Sequence, residues 1–117
     1  MMLMHGIKRG QVVWVDLNPV IGSEQGKKRP AVVIQNDIGN QHSSVTIVAP
    51  ITSRIFDKEY LTNVYLPKSI SGLKKDSTVL CNQLRTIDKR RIIRRGKILM
   101  KKYIPRLNRA IKVSLGL

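Results

Sequence analysis

The hydrophobic residues of this chain fall into short runs separated by polar, turn-forming residues, a pattern typical of strands rather than of long helices. Branched and aromatic side chains predict strands at residues 11–17, 30–35 and 45–51. The second of these runs is almost entirely apolar, as expected for a strand that is covered on both faces. Further strands are predicted at residues 63–66, 77–84 and 92–99.

Turn-forming residues mark the connections between these strands. Residues 36–40 are predicted to form a turn or a single helical turn, and residues 69–75 a glycine-containing turn. Pro50 has no N–H to donate, which indicates an edge strand or a bulge near the end of the third strand. Asp88 is placed to cap a short helical turn that runs through Arg91.

One amphipathic helix is predicted, at residues 104–115 near the end of the chain. Apolar residues recur there at spacings of three and four and form one stripe, made of Ile104, Leu107, Ile111 and Leu115. Several short strands and one terminal helix predict a β-rich α+β fold. We expect a small antiparallel β-barrel or a strongly curled sheet that occupies residues 1–117 as a single domain.

The chain carries a large excess of positive charge, with 22 Lys and Arg residues against 7 Asp and Glu residues and a formal net charge of +15. A field of that size attracts polyanions, so RNA, DNA and acidic protein segments are the expected partners. The excess is concentrated in residues 85–112, where Asp88 is the only acid. Phosphates bind such a cluster through a salt-sensitive attraction that carries no base specificity.

The composition also excludes several classes of protein. Cys81 is the only cysteine, so a disulfide framework and a multi-cysteine metal site are excluded, and its apolar surroundings predict burial. No apolar run approaches the roughly 20 residues that cross a bilayer, and the first residues do not form a signal-peptide pattern. We therefore expect a cytoplasmic, reduced protein that has no membrane contact, and we assign it no cofactor.

A polar loop at residues 22–28 leads directly into the second predicted strand. Lys27, Lys28 and Arg29 are clustered where this loop meets the strand. Arg29 thus has a mobile segment on one side and a rigid scaffold on the other. That setting suits a group that acts on a phosphate, because a planar guanidinium can donate to two phosphate oxygens at once.

Several other side chains have two possible roles. Phe56 and Tyr60 flank a charged loop, where they would either stack on unpaired bases or pack in the core. His5 and His42 would either carry a proton in a reaction at phosphate or be ordinary surface residues, and neither has a carboxylate at a suitable spacing. Glu24 would accept a hydrogen bond from a base, orient Arg29, or simply be a solvated loop residue.

A series of short motifs extends over nearly the whole chain. They are, in order, Arg9-Gly10, Asp16-Leu17-Asn18-Pro19, Gly22-Ser23-Glu24-Gln25-Gly26, Arg29-Pro30, Val33-Ile34-Gln35-Asn36-Asp37, Ile51-Thr52 and Gln83-Leu84-Arg85-Thr86-Ile87-Asp88. In this order and at this spacing the motifs resemble those of the MazF/PemK toxin endoribonucleases. One such motif alone is a weak signal, whereas the complete series is a strong one.

This resemblance implies a fold, an activity and partners. Members of the family are small SH3-like β-barrels with short helices that form homodimers. They cleave single-stranded RNA at short sequences without a metal, and they leave 2′,3′-cyclic phosphate and 5′-hydroxyl ends. A cognate antitoxin inhibits them by laying an acidic segment across the RNA groove.

The resemblance also implies site residues. The arginine before the proline and the threonine that closes the third strand carry the chemistry in the family, and the matching residues here are Arg29 and Thr52. The guanidinium and the hydroxyl would stabilise the charge that builds on the phosphate, while the part of Arg29 in proton transfer stays open. The residues that we assign to RNA binding are Glu24, Gln25, Lys28, Ser53, Arg54 and Gln83.

Two departures from the family pattern bear on the substrate. Asn82 replaces a glutamate that is common beside the late glutamine, so the recognised RNA sequence is expected to differ. The C-terminal part is basic where the family is commonly acidic, which favours ribosomal or structured RNA. Two alternative functions are a barrel that binds nucleic acid without catalysis, and a gyrase poison of the same fold.

Overall fold

The computed structural model describes residues 6–19, 21–24 and 27–117, and seven strands in this part of the chain form one antiparallel sheet. The strands are β1 (Gln11–Asp16), β2 (Lys28–Val33), β3 (Val45–Thr52), β4 (Asn63–Leu66), β5 (Ser77–Leu80), β6 (Arg85–Asp88) and β7 (Ile92–Ile98). Their order across the sheet is β4-β5-β3-β2-β1-β7, and β6 pairs with the first half of β3.

Three short helices complete the described part of the chain: α1 (Asp37–His42), α2 (Lys68–Ser71) and α3 (Ile104–Leu115). Single 3-10 turns lie at Lys89–Arg91 and Lys101–Tyr103. The longest helix, α3, has 12 residues. None of the helices described is long and apolar enough to cross a membrane.

The predicted β-rich α+β fold is confirmed, with its antiparallel sheet, short helices and C-terminal helix, although the sheet is not closed into a complete barrel. Within the described residues, β4 and β7 lie at opposite ends of the strand order and do not pair. Almost every residue of β7 is exposed, and Arg94, Arg95 and Lys97 project from it. Charged side chains on an edge strand oppose further pairing, which is consistent with an open sheet.

The longest strand, β3, changes its partner along one side. Residues 45–48 pair with β6, whereas Ile51 and Thr52 pair with β5. Pro50 lies between these two sections, where its missing N–H removes no hydrogen bond from the ladder. The edge strand predicted from Pro50 is therefore wrong, because β3 is a central strand of the sheet. The same change explains why the single strand predicted at residues 77–84 is wrong: a turn separates β5 from β6, with the Gln83 N–H donating to the Leu80 carbonyl over 3.1 Å.

The smaller elements agree with the sequence in most places. The Asn36 side chain caps α1 by accepting from the Gly39 N–H over 2.8 Å, which confirms a helical turn there. Asp88 caps the following 3-10 turn through the Arg90 N–H, also as predicted. The glycine turn expected at residues 69–75 instead begins with the single-turn helix α2, which Gly72 ends at a φ of 76°.

Alternation along the strands divides the core into two clusters, one on each face of the sheet. The face covered by α3 contributes Val12, Val32, Ala49, Ile51, Val64, Leu66, Val79 and Cys81, and these pack with Leu99, Tyr103, Leu107 and Ala110. The opposite face contributes Val13, Val15, Leu17, Ala31, Val33, Val48 and Ile87. Residues 31–33 are therefore buried on both faces, as the apolar run predicts.

Two expectations about burial can be compared with these clusters. Cys81 is buried as predicted, and desolvation raises the pKa of its thiol to about 12. The α3 stripe is buried to different degrees: Leu107 is 1% exposed, Ile104 and Ile111 are partly buried against the core, and Leu115 is 57% exposed. Ala110 lies beside Leu107 in the core instead.

This difference in burial along α3 gives a stability prediction. We expect Leu107→Ala to lower the free energy of unfolding by about 2–5 kcal/mol, because it leaves a cavity between α3 and the sheet. Leu115→Ala removes the same atoms from an exposed position and should cost less than about 0.5 kcal/mol. Urea unfolding of both variants measures the difference, and equal losses would contradict this packing of α3.

Candidate active site

The pairing of β2 with β3 brings Arg29 and Thr52 together. Ala31 with Pro50 is the last pair of this antiparallel ladder, and Arg29 and Thr52 each lie two residues beyond it on their own strand. Side chains two residues apart on a strand point to the same face of the sheet. Two side chains that are far apart in the sequence therefore start from neighbouring positions.

The guanidinium of Arg29 is partly buried at the end of the second core cluster. Arg29 shares its face of β2 with Ala31 and Val33, and Val15 of β1 lies directly beside it. Arg29 Nη1 donates to the Ile51 carbonyl over 3.5 Å, which turns the guanidinium toward the end of β3. The partial burial lowers the pKa of Arg29 from its ordinary value through desolvation.

Backbone contacts hold the hydroxyl of Thr52 in place. Thr52 Oγ1 accepts a hydrogen bond from the Arg54 N–H over 3.2 Å, and Thr78 Oγ1 donates to the Arg54 carbonyl over 2.9 Å. A hydroxyl that accepts one bond keeps its own proton to donate. The segment after β3 is therefore fixed on both sides, and Thr52 can direct an O–H donor toward a group bound next to Arg29.

The loop between β1 and β2 is closed at its base by paired backbone groups. The Leu17 N–H donates to the Lys27 carbonyl over 3.0 Å, and the Lys27 N–H donates to Asn18 Oδ1 over 2.8 Å. Further along the loop, the Glu24 carboxylate accepts from the Ile21 N–H over 2.7 Å. Glu24 thus shapes its own loop, and Gln25 lies outside the described residues.

A cleft of about 680 Å³ opens between the loop that follows β1 and the turn that separates β5 from β6, and we call it the loop cleft. Pro50, which shares the face of Arg29 and Thr52, forms part of its wall. The other described residues that line it are Leu17, Pro19, Ile21, Ser23, Glu24, Asn82, Gln83, Leu84 and Arg85. Its apolar floor and convergent amide, carboxylate and guanidinium groups are the features of a ligand site.

A second groove of about 460 Å³ lies on the other side of Thr52, and we call it the aromatic groove. Thr78, which pairs with Thr52 and Tyr65, forms its floor. Phe56 and Tyr60 line it as an edge-to-face pair with ring centroids 5.7 Å apart. Lys58, Arg106 and Arg109 add positive charge, and Ile55, Glu59, Leu61, Asn63, Val64 and Ala110 complete the lining.

The structure places the remaining predicted site residues around these two features. Lys28 is exposed at the start of β2, opposite Asp16, and Ser53 is exposed directly after Thr52. Arg54 is also exposed, with its guanidinium 4.4 Å from the Phe56 ring centroid. Gln83 lies in the loop cleft, so the described RNA-binding candidates surround the arginine and the threonine.

The histidines do not join this group. His42 is exposed at the end of α1, which follows the opposite end of β2 from Arg29. Four residue steps of about 3.3 Å separate Arg29 from Val33, so the two ends of β2 are about 13 Å apart. His5 lies outside the described residues.

Within the described residues, no group of three or more His, Cys, Asp or Glu side chains could hold a metal ion.

Arg85 and Arg91 make contacts in this region that the sequence did not predict. Both side chains donate to backbone carbonyls at the base of the loop between β1 and β2. Their partners are 68 and 75 residues earlier in the chain, so no local pattern could have indicated the contact. Their assignment requires the three-dimensional placement of β6 and β7 beside β1.

The chain belongs to a family of toxins. The family described as "PemK-like, MazF-like toxin of type II toxin-antitoxin system" matches residues 8–115. The chain is 48% identical to "Endoribonuclease MazF" of Staphylococcus saprophyticus over 111 residues, which cover 95% of this chain and 92% of that protein. It is 43% identical to "Endoribonuclease EndoA" of Bacillus subtilis over 111 residues, which cover 95% and 96% of the two chains. The predicted family is thus confirmed.

Solved structures show the same fold. The crystal structure of MazF from Deinococcus radiodurans matches with a TM-score of 0.79 and 27% identity, covering 95% of this chain and 97% of that one. A MazE–MazF structure from the same organism matches with a TM-score of 0.73 and 27% identity, covering 95% and 96%. The chain therefore has the same fold as these solved MazF structures.

Proposed function

We propose that this chain is a toxin endoribonuclease that cleaves single-stranded RNA at a short sequence without a metal ion. The observation that supports this most is the β2–β3 register, which leaves Arg29 and Thr52 on one face just beyond the Ala31–Pro50 pair, and Pro50 of that pair also lines the loop cleft. The relatives named endoribonucleases support the same reaction class. The net charge of +15 suits a polyanionic substrate.

The proposed reaction needs stabilisation of charge at one phosphate. The 2′-oxygen attacks the adjacent phosphorus, the bond to the 5′-oxygen breaks, and the proton lost from the 2′-hydroxyl is balanced by one gained on the leaving oxygen. The products are a 2′,3′-cyclic phosphate and a 5′-hydroxyl. Arg29 donates to the non-bridging oxygens as a fixed cation, and the Thr52 hydroxyl donates to the same phosphate.

The surrounding residues grip the RNA on both sides of that phosphate. Lys28 and Arg54 supply phosphate contacts, while Glu24, Gln83 and Ser53 offer hydrogen bonds to base edges. Gln25 belongs to the same loop and is assigned to this group from the sequence. Asn82 presents an amide to the loop cleft, so this position can both donate to and accept from a base.

The partners follow from the charge and the family. An acidic antitoxin segment would bind the same cationic surface and exclude RNA, and the relatives include a MazF solved with MazE. The site of action that we propose is the cytoplasm, where RNA is available and a buried thiol such as Cys81 stays reduced.

Substitution tests the two proposed catalytic residues. Arg29→Ala and Thr52→Val should each lower the rate of RNA cleavage by about 10²–10³, because each removes a donor to the charged phosphate. Thr52→Ser keeps the hydroxyl and should retain most of the rate. Cleavage of a long RNA in excess chelator, with the products mapped for 5′-hydroxyl ends, measures all three variants.

Lys74→Ala is the matched control, because it removes a charge from an exposed loop residue that lines neither groove. Cleavage that disappears with the chelator, or that survives Arg29→Ala undiminished, contradicts the proposal. RNA binding without new ends would favour the non-catalytic alternative. Trapped gyrase–DNA complexes with intact RNA would favour the gyrase poison.

We also propose that two copies associate through the aromatic groove and the exposed apolar residues along it. Tyr60, Leu61 and Tyr65 are exposed there. On α3, Arg109 of the groove is followed at helical spacing by the exposed Val113, which extends the same surface. A contiguous apolar surface of this kind marks an interaction site.

The dimer is tested by the mass of the protein in solution. Leu61 is 73% exposed and should be buried in the dimer, so Leu61→Asp should shift the protein to a monomer in light scattering after size exclusion. Ile38→Asp is the control, since Ile38 is 76% exposed on α1, away from this surface. A wild-type monomer at all concentrations, or equal effects of the two variants, would contradict the proposed interface.

A further inference from the structure

Three consecutive backbone carbonyls at the end of β1 accept hydrogen bonds from two arginines. Arg85 Nη1 donates to the Leu17 carbonyl. Arg91 Nη1 donates to the Asp16 carbonyl over 3.1 Å and to the Asn18 carbonyl. Every carbonyl of this short segment is therefore bound to a guanidinium, an arrangement that no repeating secondary structure requires.

The segment is the base of the loop that leads to the proposed active site. Leu17 and Asn18 also bond to Lys27 on the returning side, so residues 16–18 and Lys27 form one closed neck. From this neck the chain continues directly into Lys28 and Arg29 of β2. A shift of the neck would move Glu24, at the cleft, and the start of the strand that carries Arg29.

The two arginines come from rigid parts of the fold. Arg85 is the first residue of β6 and pairs with Val48 of β3. Arg91 ends the 3-10 turn that Asp88 caps, and the next residue, Ile92, pairs with Val15 of β1. The neck is thus joined to the sheet through the first residue of β6 and the residue that precedes β7.

Neither arginine has a carboxylate within 4.0 Å in the described part of the chain. The only ion pair within 4.0 Å in residues 6–19, 21–24 and 27–117 joins Arg90 to Asp88. Neutral carbonyl partners leave the guanidinium charge intact, and Arg85 also forms part of the wall of the loop cleft. Both guanidiniums are therefore bonded to the base of the loop through its backbone carbonyls.

We propose that Arg85 and Arg91 are positioning residues that hold the loop neck so that the loop cleft stays aligned with Arg29 and Thr52. This role rests on the proposed RNA-cleaving function, because it concerns the same site. Neither arginine needs to contact the scissile phosphate. Misplacement of a catalytic group by about 1 Å is enough to slow a reaction by about 10²-fold.

The kinetic test separates positioning from phosphate binding. Arg85→Ala and Arg91→Ala should lower kcat by about 10- to 100-fold, with KM changed by less than about threefold. Binding of an uncleavable RNA with a 2′-deoxy residue at the cleaved position should keep its affinity and its salt dependence. A loss of affinity with a salt slope reduced by about one would show phosphate binding and overturn the positioning role.

The conservative variants and a control define the effect further. Arg85→Lys keeps one donor and the charge and should recover most of kcat, whereas Arg85→Met keeps the length without a donor and should not. Lys74→Ala removes one charge from an exposed loop residue outside the cleft lining and should leave kcat unchanged. An unchanged kcat in both Arg85→Ala and Arg91→Ala overturns the proposal, and cleavage by the wild type would still support the nuclease.

Hydrogen exchange tests whether Arg85 and Arg91 clamp the loop neck, and it requires no measurement of RNA cleavage. The amide protons of Leu17 and Lys27 should exchange at least about tenfold faster in Arg85→Ala and Arg91→Ala, while that of Val32 in the core stays protected. If Arg85→Ala fails to fold, Arg91→Ala and Arg85→Met carry the same measurement. Unchanged exchange at the neck overturns the clamp. Faster exchange in a protein that does not cut RNA would uphold the clamp and reject the proposed function instead.

Discussion

The pairing of β2 with β3 is the constraint on which the rest of this structure depends. Side chains alternate between the faces of a sheet, so a slip of one residue would turn every side chain of one strand to the other face. The register of Ala31 with Pro50 prevents this, because Ala31, Val33 and Val48 must all enter the second core cluster. Burial of this apolar face therefore places Arg29 and Thr52 on that same face, just beyond the last pair of the β2–β3 ladder.

The same constraint explains how a strongly basic chain can make a specific site. Most of its cations lie on exposed surface, where they attract polyanions without choosing a phosphate. Arg29 differs because the sheet partly buries it and the Ile51 carbonyl directs it. Arg85 and Arg91 differ because backbone carbonyls hold them. The scaffold thus converts a diffuse positive field into a few fixed donors around one cleft.

Local sequence predicted the features that depend on local chemistry. The apolar residues 31–33, the cap at Asp88 and the helix at residues 104–115 each follow from side chains next to one another. Features that depend on distant pairing were missed. The chain splits into β5 and β6 because β3 changes its partner. The sheet stays open because β7 has no further neighbour among the described strands. Arg29 and Thr52 were found through a family pattern, whereas the contacts of Arg85 have no such local signal.

If Arg29 and Thr52 act on one phosphate, a double-mutant cycle on the cleavage rate should show it. Two donors to the same charged group are energetically coupled, so their losses should not be independent. We expect Arg29→Ala combined with Thr52→Val to cleave RNA at about the rate of the slower single variant. A double variant whose loss equals the product of the two single losses would show that the two residues act independently and do not share a phosphate.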